Sequence, residues 1–261
     1  MPTLARIAIY PLKSFDPILV QEAQVLANGA LEYDRRFAFV NSTGAFVNAK
    51  RTALIHPLQV HVDPVTRTLT ARLRTDDASQ QWHLDSQRPD IERWFSEYFS
   101  TDVTLRESDA GGFPDDGEAP GPTIVSTGSL QAVAGWFPGL TVEEVRLRFR
   151  ANLEIEGVEP FWEDRLFGSV TGTARPFRIA DVLLAGTNPC QRCVVPSRDP
   201  VSGEVWPEFA RQFSEHRAAQ LPPWVPRERF DHFYRLTVNT RLIGRGGGRI
   251  QVGDKLELVA Q

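Results

Sequence analysis

The residues best suited to chemistry are two cysteines in one short segment, Cys190-Gln191-Arg192-Cys193. A C-x-x-C pair could form a redox-active dithiol, supply half of a zinc site, or place one thiolate on a soft metal. It could equally be two small side chains packed behind a strand. No βαβ pattern surrounds the pair, and two thiols are too few for an iron–sulfur cluster. His216 and His232 are not paired closely enough to suggest further zinc ligands, so the residues alone leave these alternatives open.

Basic side chains form a second candidate set. Arg35 follows Asp34, Arg192 lies between the cysteines, and Arg150 ends an alternating basic segment. Guanidinium groups suit phosphate recognition, although most surface arginines are solvated or paired with carboxylates. Lys13 is one of only three lysines and follows the first predicted strand, a position where loops often carry function.

The remaining motifs carry weaker signals. The segment Gly244–Gly248 imitates a phosphate loop but lacks the Gly-Lys-Ser/Thr that would follow, so we interpret it as a hairpin connection. No G-x-S-x-G motif is present to anchor a serine hydrolase. Glu163 and Asp164 could supply a proton or orient a substrate, although surface charge is the simpler interpretation.

Composition limits the classes of protein to consider. The chain has 261 residues, 41% of them hydrophobic, and a net charge of -4. That length allows one large domain or two ordinary ones, and no apolar run approaches the roughly 18 residues of a membrane span. The charge gives no electrostatic reason to bind nucleic acid or an acidic membrane. With no signal-peptide pattern and only two cysteines, we expect a protein of the reducing cytoplasm.

The hydrophobic pattern predicts many short strands and a few helices. Strands are predicted over residues 4–10, 67–74, 145–150 and 177–186, the last leading directly into the cysteine segment, with a hairpin around 42–44. Two final strands are predicted over 234–243 and 248–259. Apolar residues at i, i+3, i+4, i+7 and i+8 predict a helix over 91–99 with Asp90 as its N-cap. Residues 107–122 are acidic and rich in Gly and Pro, which is typical of a domain junction. We therefore predict a β-rich mixed α/β fold built from barrel-like sheets.

Together, several segments resemble the MOSC family (molybdenum cofactor sulfurase C-terminal type). The segments IYPLKS, LEYDRRFAFV and FVNAK resemble the family's N-terminal β-barrel, and STGSL, RFRANLEIEG, FWED, NPCQRCVVPSRDPVSGE and VGDKLEL resemble the MOSC domain itself. The resemblance is strongest to the amidoxime-reducing group and its bacterial counterparts. It implies a mixed α/β, β-rich fold with an N-terminal MOSC-type β-barrel domain over 1–106, a linker over 107–122, and a MOSC β-barrel domain with a few helices over 123–261.

The resemblance also implies a site for a molybdopterin-type cofactor. The second cysteine of the family's P-C-x-R-C motif holds the molybdenum, which makes Cys193 the metal ligand and the catalytic residue, with Cys190 as a bystander. The cofactor-binding residues implied in this chain are Lys13, Ser14, Arg35, Arg150, Asn152, Gln191, Arg192 and Cys193. Departures from the family pattern are Pro196-Ser197 in place of a threonine pair and Ala151 in place of the proline of R-P-N. Asp116 is the candidate for the acidic residue of a family loop that differs here.

The function implied by the resemblance is reduction of small N-hydroxylated substrates, such as amidoximes, hydroxylamines or N-oxides, by a molybdenum-cofactor oxidoreductase. The electrons would come from a separate ferredoxin-, flavin- or cytochrome-type protein, because both cysteines are already committed to one segment. The alternative is a carrier or storage protein that binds the molybdenum cofactor without turnover. Both hypotheses require the same anchoring residues, so the sequence does not separate them.

Overall fold

The computed structural model describes residues 1–244 and 246–259. In this part of the chain four helices alternate with many short strands: α1 (Arg88–Phe99), α2 (Thr127–Trp136), α3 (Val142–Phe149) and α4 (Phe209–Ala219). The strands are β1 (Thr3–Ile9), β2 (Ile18–Val20), β3 (Glu22–Val25), β4 (Phe37–Asn41), β5 (Leu58–Asp63), β6 (Thr68–Leu73), β7 (Gln80–His83), β8 (Val103–Glu107), β9 (Ile124–Ser126), β10 (Leu153–Glu156), β11 (Arg175–Ile179), β12 (Val182–Gln191), β13 (Arg235–Leu242), β14 (Gly248–Gln251) and β15 (Leu256–Leu258). The prediction of a β-rich mixed α/β fold is confirmed.

The largest sheet curls into a barrel. Its eight strands lie in the order β15-β11-β12-β13-β9-β10-β1-β2. At its start β1 also meets the segment before β15, where Leu4 N donates to Asp254 O at 2.8 Å and Gly253 N donates to Leu4 O at 2.7 Å. These bonds close the sheet on itself, which satisfies backbone groups that an open edge would leave unpaired.

The strand pairing links the two ends of the chain. β1, from the amino terminus, pairs antiparallel with β10, and β3 pairs with β14 near the carboxyl terminus. The barrel core accordingly mixes Ile7 and Ile9 with Phe177 and Val238. The division into 1–106, 107–122 and 123–261 stays a prediction. Strands β1 and β2, from the first predicted domain, nevertheless belong to the eight-stranded sheet whose other strands come from residues 123–261.

Two further cores flank the barrel. Helix α1 covers the sheets β5-β6-β7 and β4-β8, and its predicted apolar face is confirmed by the burial of Ile91, Phe95 and Phe99. The helix begins at Arg88, with Gln87 as its N-cap, and not after the predicted N-cap Asp90. This earlier start is possible because proline is tolerated in the first turn of a helix, where Pro89 lies. Helices α2, α3 and α4 form the other core with Phe137, Phe149 and Phe213.

One strand prediction was wrong in a way that matters for the site. Residues 145–150 alternate in sequence, yet they belong to α3 and its C-cap Arg150. Val145 and Phe149 are four residues apart, so they share a helix face as readily as a strand face, and both are buried. The signal that decides for a helix lies upstream, in the capping box formed by Thr141 and Glu144.

Three other strand assignments also needed correction. The predicted strand over 177–186 is two antiparallel strands, β11 and β12, which turn at residues 180–181. At the predicted hairpin around 42–44 the strand pairing is limited to one isolated β-bridge, between Val40 and Phe46. Strand β4 instead pairs along its length with β8. The final strand is split into β14 and β15. The predicted connection Gly244–Gly248 includes residue 245, which lies outside the described residues.

Replacing Thr141 by alanine is expected to lower the free energy of unfolding by about 1 kcal/mol, because the helix N-terminus loses its side-chain acceptor. Thr141 Oγ1 accepts a hydrogen bond from Glu144 N at 3.2 Å, and the Glu144 carboxylate accepts one from Thr141 N at 2.9 Å. Urea unfolding measures the loss. The exposed Thr101, changed to alanine, is the control, and an equal loss in both variants would contradict the capping role.

No helix in the described part of the chain is both long and apolar enough to cross a membrane.

Candidate functional site

A single cleft at one end of the barrel gathers the residues singled out in the sequence. Its volume is about 590 Å³, within the range of small-molecule sites. All eight predicted cofactor-binding residues line it: Lys13, Ser14, Arg35, Arg150, Asn152, Gln191, Arg192 and Cys193. Cys190 lines the same cleft. The structure therefore brings together residues that are up to 180 positions apart in the sequence.

The barrel explains how these residues meet. Lys13 and Ser14 follow the end of β1, and Asn152 immediately precedes β10, the antiparallel partner of β1. Gln191 ends β12, which carries the cysteine segment to the same end of the barrel. Because neighbouring antiparallel strands alternate in direction, the end of one strand lies beside the start of the next. Residues 114–121, from the predicted linker, form a further wall of the cleft.

Three of the eight residues have left-handed backbone conformations. Ser14, Arg35 and Arg150 have φ angles of 76°, 51° and 54°, a region that costs non-glycine residues free energy. Arg150 adopts it as the C-cap of α3, which turns the chain from the helix into the cleft. Strained residues of this kind concentrate at functional sites, where the surrounding packing holds them in place.

The two cysteines have different surroundings. Cys190 lies where the pairing of β12 with β13 shifts register between Pro189 and Gln191, a bulge that redirects the chain. Arg192 Nη1 lies 3.2 Å from Cys190 Sγ, so the guanidinium contacts the cysteine expected to be the bystander. Cys193 Sγ instead accepts a hydrogen bond from Val195 N at 3.5 Å. Both thiols are partly exposed to the cleft, so the alternative of two packed thiols does not describe them.

Arg35 is held by a buried polar network. Its guanidinium forms an ion pair with Asp34, whose Oδ1 accepts hydrogen bonds from Tyr10 N at 2.9 Å and from Asn152 Nδ2 at 3.1 Å. Asn152 Nδ2 also donates to Ala8 O at 3.1 Å, and Asn152 Oδ1 accepts from Thr123 N at 3.2 Å. The Asn152 amide is thus engaged by the protein itself and acts on the cleft by positioning Asp34 and Arg35.

The Tyr10 ring contacts both cleft arginines. The guanidinium carbon of Arg150 lies 4.2 Å from the centre of the Tyr10 ring, and that of Arg35 lies 5.2 Å from it. An aromatic face stabilises a nearby cation, and more so when water is excluded. Arg150 Nη2 also donates to Phe15 O at 2.6 Å. Tyr10 therefore stabilises two positive side chains that lie close together, and it supports the cleft from behind without lining it.

Lys13 faces an acidic residue that the sequence did not single out. Its Nζ donates to Asp115 Oδ1 at 2.7 Å and to Phe113 O at 2.9 Å, and Lys50 Nζ lies 3.8 Å from the same carboxylate oxygen. Burial acts to raise the pKa of Asp115, but the charges of Lys13 and Lys50 outweigh it and lower that pKa to about 2. Burial lowers the pKa of Lys13 against the opposing effect of Asp115.

Asp116, the predicted acidic loop residue, lies beside Asp115 and also lines the cleft. Its Oδ2 accepts a hydrogen bond from Asn239 Nδ2 at 3.2 Å, while its Oδ1 accepts from Glu118 N at 3.0 Å. Asp115, Lys50 and Asn239 were missed by sequence reasoning. The available signal was the acidity of residues 107–122. We interpreted this segment only as a domain junction, whereas part of it faces a basic cleft.

Charge distinguishes the cleft from the rest of the chain. In the described part, seven basic side chains line it against three acidic ones, although the whole chain carries a net charge of -4. The basic set is Lys13, Arg35, Lys50, Arg148, Arg150, Arg192 and Arg235. This excess fits an anionic ligand, and the donor set of a partly exposed thiol among cations fits a phosphate-bearing, metal-carrying group. Across residues 1–244 and 246–259, no cluster of three or more His, Cys, Asp or Glu side chains could hold a metal ion by itself.

Glu163 and Asp164 were expected on the surface, and this prediction was wrong. Both are buried, with 1% and 5% of their surface exposed, because the 3₁₀ turn Trp162–Leu166 folds under the barrel. Neither residue lines the cleft. Asp164 forms an ion pair with the buried Arg217, whereas neither Glu163 oxygen has a hydrogen-bond partner among the described residues. Glu163 and the Asp164–Arg217 ion pair therefore affect folding stability and lie outside the cleft.

Replacing Glu163 by glutamine is expected to stabilise the protein above pH 7. Burial and the charge of Asp164 raise the pKa of Glu163 to about 7, so the folded state retains a proton that the unfolded chain has lost. Stability should therefore fall as pH rises from about 4.5 to about 7, by roughly 3 kcal/mol in total, and this loss should be absent in the variant. Urea unfolding across that pH range measures the slope. Parallel pH profiles for the two proteins would contradict the assignment.

Comparison with known proteins gives matches to two family models. Residues 1–102 match the MOSC N-terminal beta barrel domain, and residues 123–257 match the MOSC domain. The chain is 29% identical over 223 residues to a molybdenum cofactor sulfurase of Drosophila grimshawi, in a match that covers 74% of this chain and 27% of that protein. The chain thus spans about a quarter of the length of that relative. A solved structure described as a hypothetical protein shares 18% identity over 54% of this chain and 52% of its own, with a TM-score of only 0.29.

Proposed function

Because the chain belongs to the MOSC family, whose members are associated with the molybdenum cofactor, we propose that it is a molybdenum-cofactor oxidoreductase. Its substrates in this proposal are small N-hydroxylated compounds such as amidoximes, hydroxylamines and N-oxides. The observation that carries the proposal is the convergence of all eight anchoring residues on one basic cleft that also contains a partly exposed cysteine. A cleft of this kind binds an anionic cofactor and leaves its metal accessible to a small molecule.

The roles of the protein side chains follow from their contacts. Cys193 is the proposed metal ligand, because its sulfur is free of the Arg192 contact and accepts only the backbone N–H of Val195 among the hydrogen bonds described. Lys13, Arg35 and Arg150 bind the anionic end of the cofactor, each fixed beforehand by a carboxylate, a backbone carbonyl or an aromatic ring. Such preorganisation reduces the entropy lost on binding.

The bound cofactor supplies two-electron redox chemistry. In the proposed reaction R–NH–OH takes two electrons and two protons, the N–O bond breaks, and the products are R–NH₂ and water. The cleft residues orient the substrate and exclude competing ligands. The electrons come from a separate ferredoxin-, flavin- or cytochrome-type protein, because the chain's two cysteines both lie in the cleft and cannot hold an iron–sulfur cluster as well.

The test is to purify the full chain from a host that makes the cofactor, measure molybdenum by elemental analysis, and assay reduction of benzamidoxime with dithionite-reduced viologen. We expect near-equimolar molybdenum and turnover of at least one N-hydroxylated compound. Equimolar molybdenum without reduction of amidoximes, hydroxylamines or N-oxides would disprove the reductase. Protein without molybdenum would disprove cofactor binding as well.

A second candidate is a carrier or storage protein for the same cofactor. It is favoured by the match to a protein named molybdenum cofactor sulfurase, a name that describes handling of the cofactor rather than its use on an outside substrate. This candidate requires the cofactor to leave the cleft intact. Transfer of molybdenum from the purified protein to a cofactor-free molybdoenzyme, without reductase activity, would establish it.

A further inference from the structure

Strand β13 has an irregular backbone directly across from the cysteine segment. Where β13 passes Cys190, two of its residues, Leu236 and Thr237, lie against that one residue of β12. An extra residue of this kind is a β-bulge, which bends the strand and redirects its side chains. Bulges are frequent beside active sites, and this one lies at the cleft that contains both cysteines.

Thr237 has an unfavourable backbone conformation within this bulge. Its φ angle is 70°, in the left-handed region, and the residue is only 2% exposed. Glycine is the usual residue at such a position, because a Cβ atom makes the conformation costly and a β-branched side chain makes it rarer still. A glycine would form the same bulge without this cost. The threonine therefore indicates a role for its side chain, since strained residues concentrate at functional sites.

The Thr237 hydroxyl contacts an arginine of the cleft. Thr237 Oγ1 accepts a hydrogen bond from Arg192 Nη1 at 3.4 Å, the only hydrogen bond described for that hydroxyl. Phe149 also holds Arg192, because its carbonyl oxygen accepts from Arg192 Nη2 and its ring centre lies 5.3 Å from the guanidinium carbon. The same Nη1 lies 3.2 Å from Cys190 Sγ. Three residues therefore fix the guanidinium, and Thr237 is the one that comes from β13.

These contacts keep the Arg192 guanidinium beside Cys190. Cys193, the proposed metal ligand, accepts its only described hydrogen bond from Val195 N. A guanidinium released from its contacts can pair with either sulfur of the cleft when that sulfur is ionised. Pairing with Cys193 would compete with a metal for the thiolate, since the thiolate is the metal-binding form of cysteine.

We propose that Thr237 is a positioning residue that fixes Arg192 in the cleft. Its left-handed backbone places the hydroxyl within reach of the guanidinium, and the hydroxyl holds that group beside Cys190. The consequence for cofactor retention rests on the proposed function, in which Arg192 is an anchoring residue. The contact between Thr237 and Arg192 is independent of that function.

The strain in the backbone is tested by comparing Thr237→Gly with Thr237→Ala in thermal unfolding. Alanine keeps the Cβ atom that makes a left-handed conformation costly, whereas glycine lacks it. We expect the Tm of Thr237→Gly to exceed that of Thr237→Ala by about 2 °C or more. At an ordinary strand position glycine is the less stable of the two residues, so a higher Tm for Thr237→Ala would contradict the strain.

The role of the hydroxyl is tested without the cofactor, through the reactivity of Cys190. In a Cys193→Ser background Cys190 is the only thiol of the chain. A guanidinium beside a sulfur favours the thiolate that reacts with iodoacetamide, so the alkylation rate at a fixed pH reports the position of Arg192. Thr237→Ser keeps the hydroxyl and Thr237→Ala removes it. We expect alkylation to be about three- to tenfold slower in Thr237→Ala, the effect of one hydrogen bond.

Cofactor retention is tested on protein purified from a host that makes the cofactor. We expect Thr237→Ala to lose molybdenum during dialysis about three- to tenfold faster than the wild type, and Thr237→Ser to restore the wild-type rate. Thr240→Ala is the control for the loss of a buried hydroxyl on the same strand. Thr240 is 0% exposed, donates to Pro122 O at 2.7 Å and does not line the cleft. This control should lower the Tm without changing the rate of molybdenum loss.

The results separate this proposal from the proposed function. Equal alkylation rates in Thr237→Ala and Thr237→Ser would overturn the positioning role. Equal rates of molybdenum loss from Thr237→Ala and Thr240→Ala would overturn it as well, because the effect would then be one of general stability. Wild-type protein without molybdenum would contradict the proposed function, whereas the alkylation rates would still decide whether Thr237 holds Arg192.

Discussion

Replacing Cys193 by serine is expected to remove most of the molybdenum from the purified protein and to lower the proposed reductase activity at least about a hundredfold. Loss of a residue that merely supports a metal ligand costs about 10–100-fold, so loss of the ligand itself should cost no less. The exchange is nearly isosteric, and the only hydrogen bond described for this sulfur comes from Val195 N. The fold should therefore survive, which circular dichroism and thermal unfolding would verify beside the molybdenum assay.

Cys190→Ser is the matched control, since it changes the same type of residue three positions away in the same cleft. A serine hydroxyl can still accept a hydrogen bond from Arg192, so this variant is expected to retain most of its molybdenum. Equal loss of activity in both variants would instead support a dithiol in which both sulfurs react. Full activity of Cys193→Ser would contradict every hypothesis that gives this cysteine a chemical role.

Replacing Arg217 by methionine is expected to lower the free energy of unfolding by about 3–5 kcal/mol, because it leaves a buried carboxylate without its partner. Arg217 is 1% exposed and pairs with Asp164, which is 5% exposed. Its guanidinium carbon also lies 4.1 Å from the centre of the Phe161 ring. Methionine preserves much of the apolar contact with that ring. The decrease in the free energy of unfolding should therefore arise mainly from the loss of the Arg217 charge.

The pH dependence of this variant has a definite sign. Burial raises the pKa of Asp164 even with Arg217 beside it, and removing the cation should raise it further. Protonation then neutralises the unpaired carboxylate, so the deficit should be smaller near pH 5 than near pH 8. Urea unfolding at both values measures it. The double variant Arg217→Met/Asp164→Leu should recover much of the stability, and a double variant no more stable than Arg217→Met would contradict the role of the pair.

Sequence reasoning failed where two structures share one pattern. The alternation over 145–150 fits a strand, but the i, i+4 spacing of Val145 and Phe149 fits a helix equally well, and the capping box at Thr141 decides between them. Glu163 and Asp164 were expected on the surface because paired acidic residues usually are. Their burial depends on Arg217, which lies 53 residues after Asp164 and bears no local relation to it.

The sequence by itself determined the family and the β-rich class, and it named eight candidate cofactor-binding residues that the fold brings to one cleft, because short motifs such as P-C-x-R-C combine residue types that few other structures require. Only the tertiary structure decided which side chains complete the site. Asp115 meets Lys13 across 102 residues, the Tyr10 ring contacts both Arg35 and Arg150, and Arg192 contacts Cys190 rather than Cys193. These contacts follow from barrel closure, which brings strand ends from distant parts of the chain to one place, and distances in space cannot be read from spacing along the sequence.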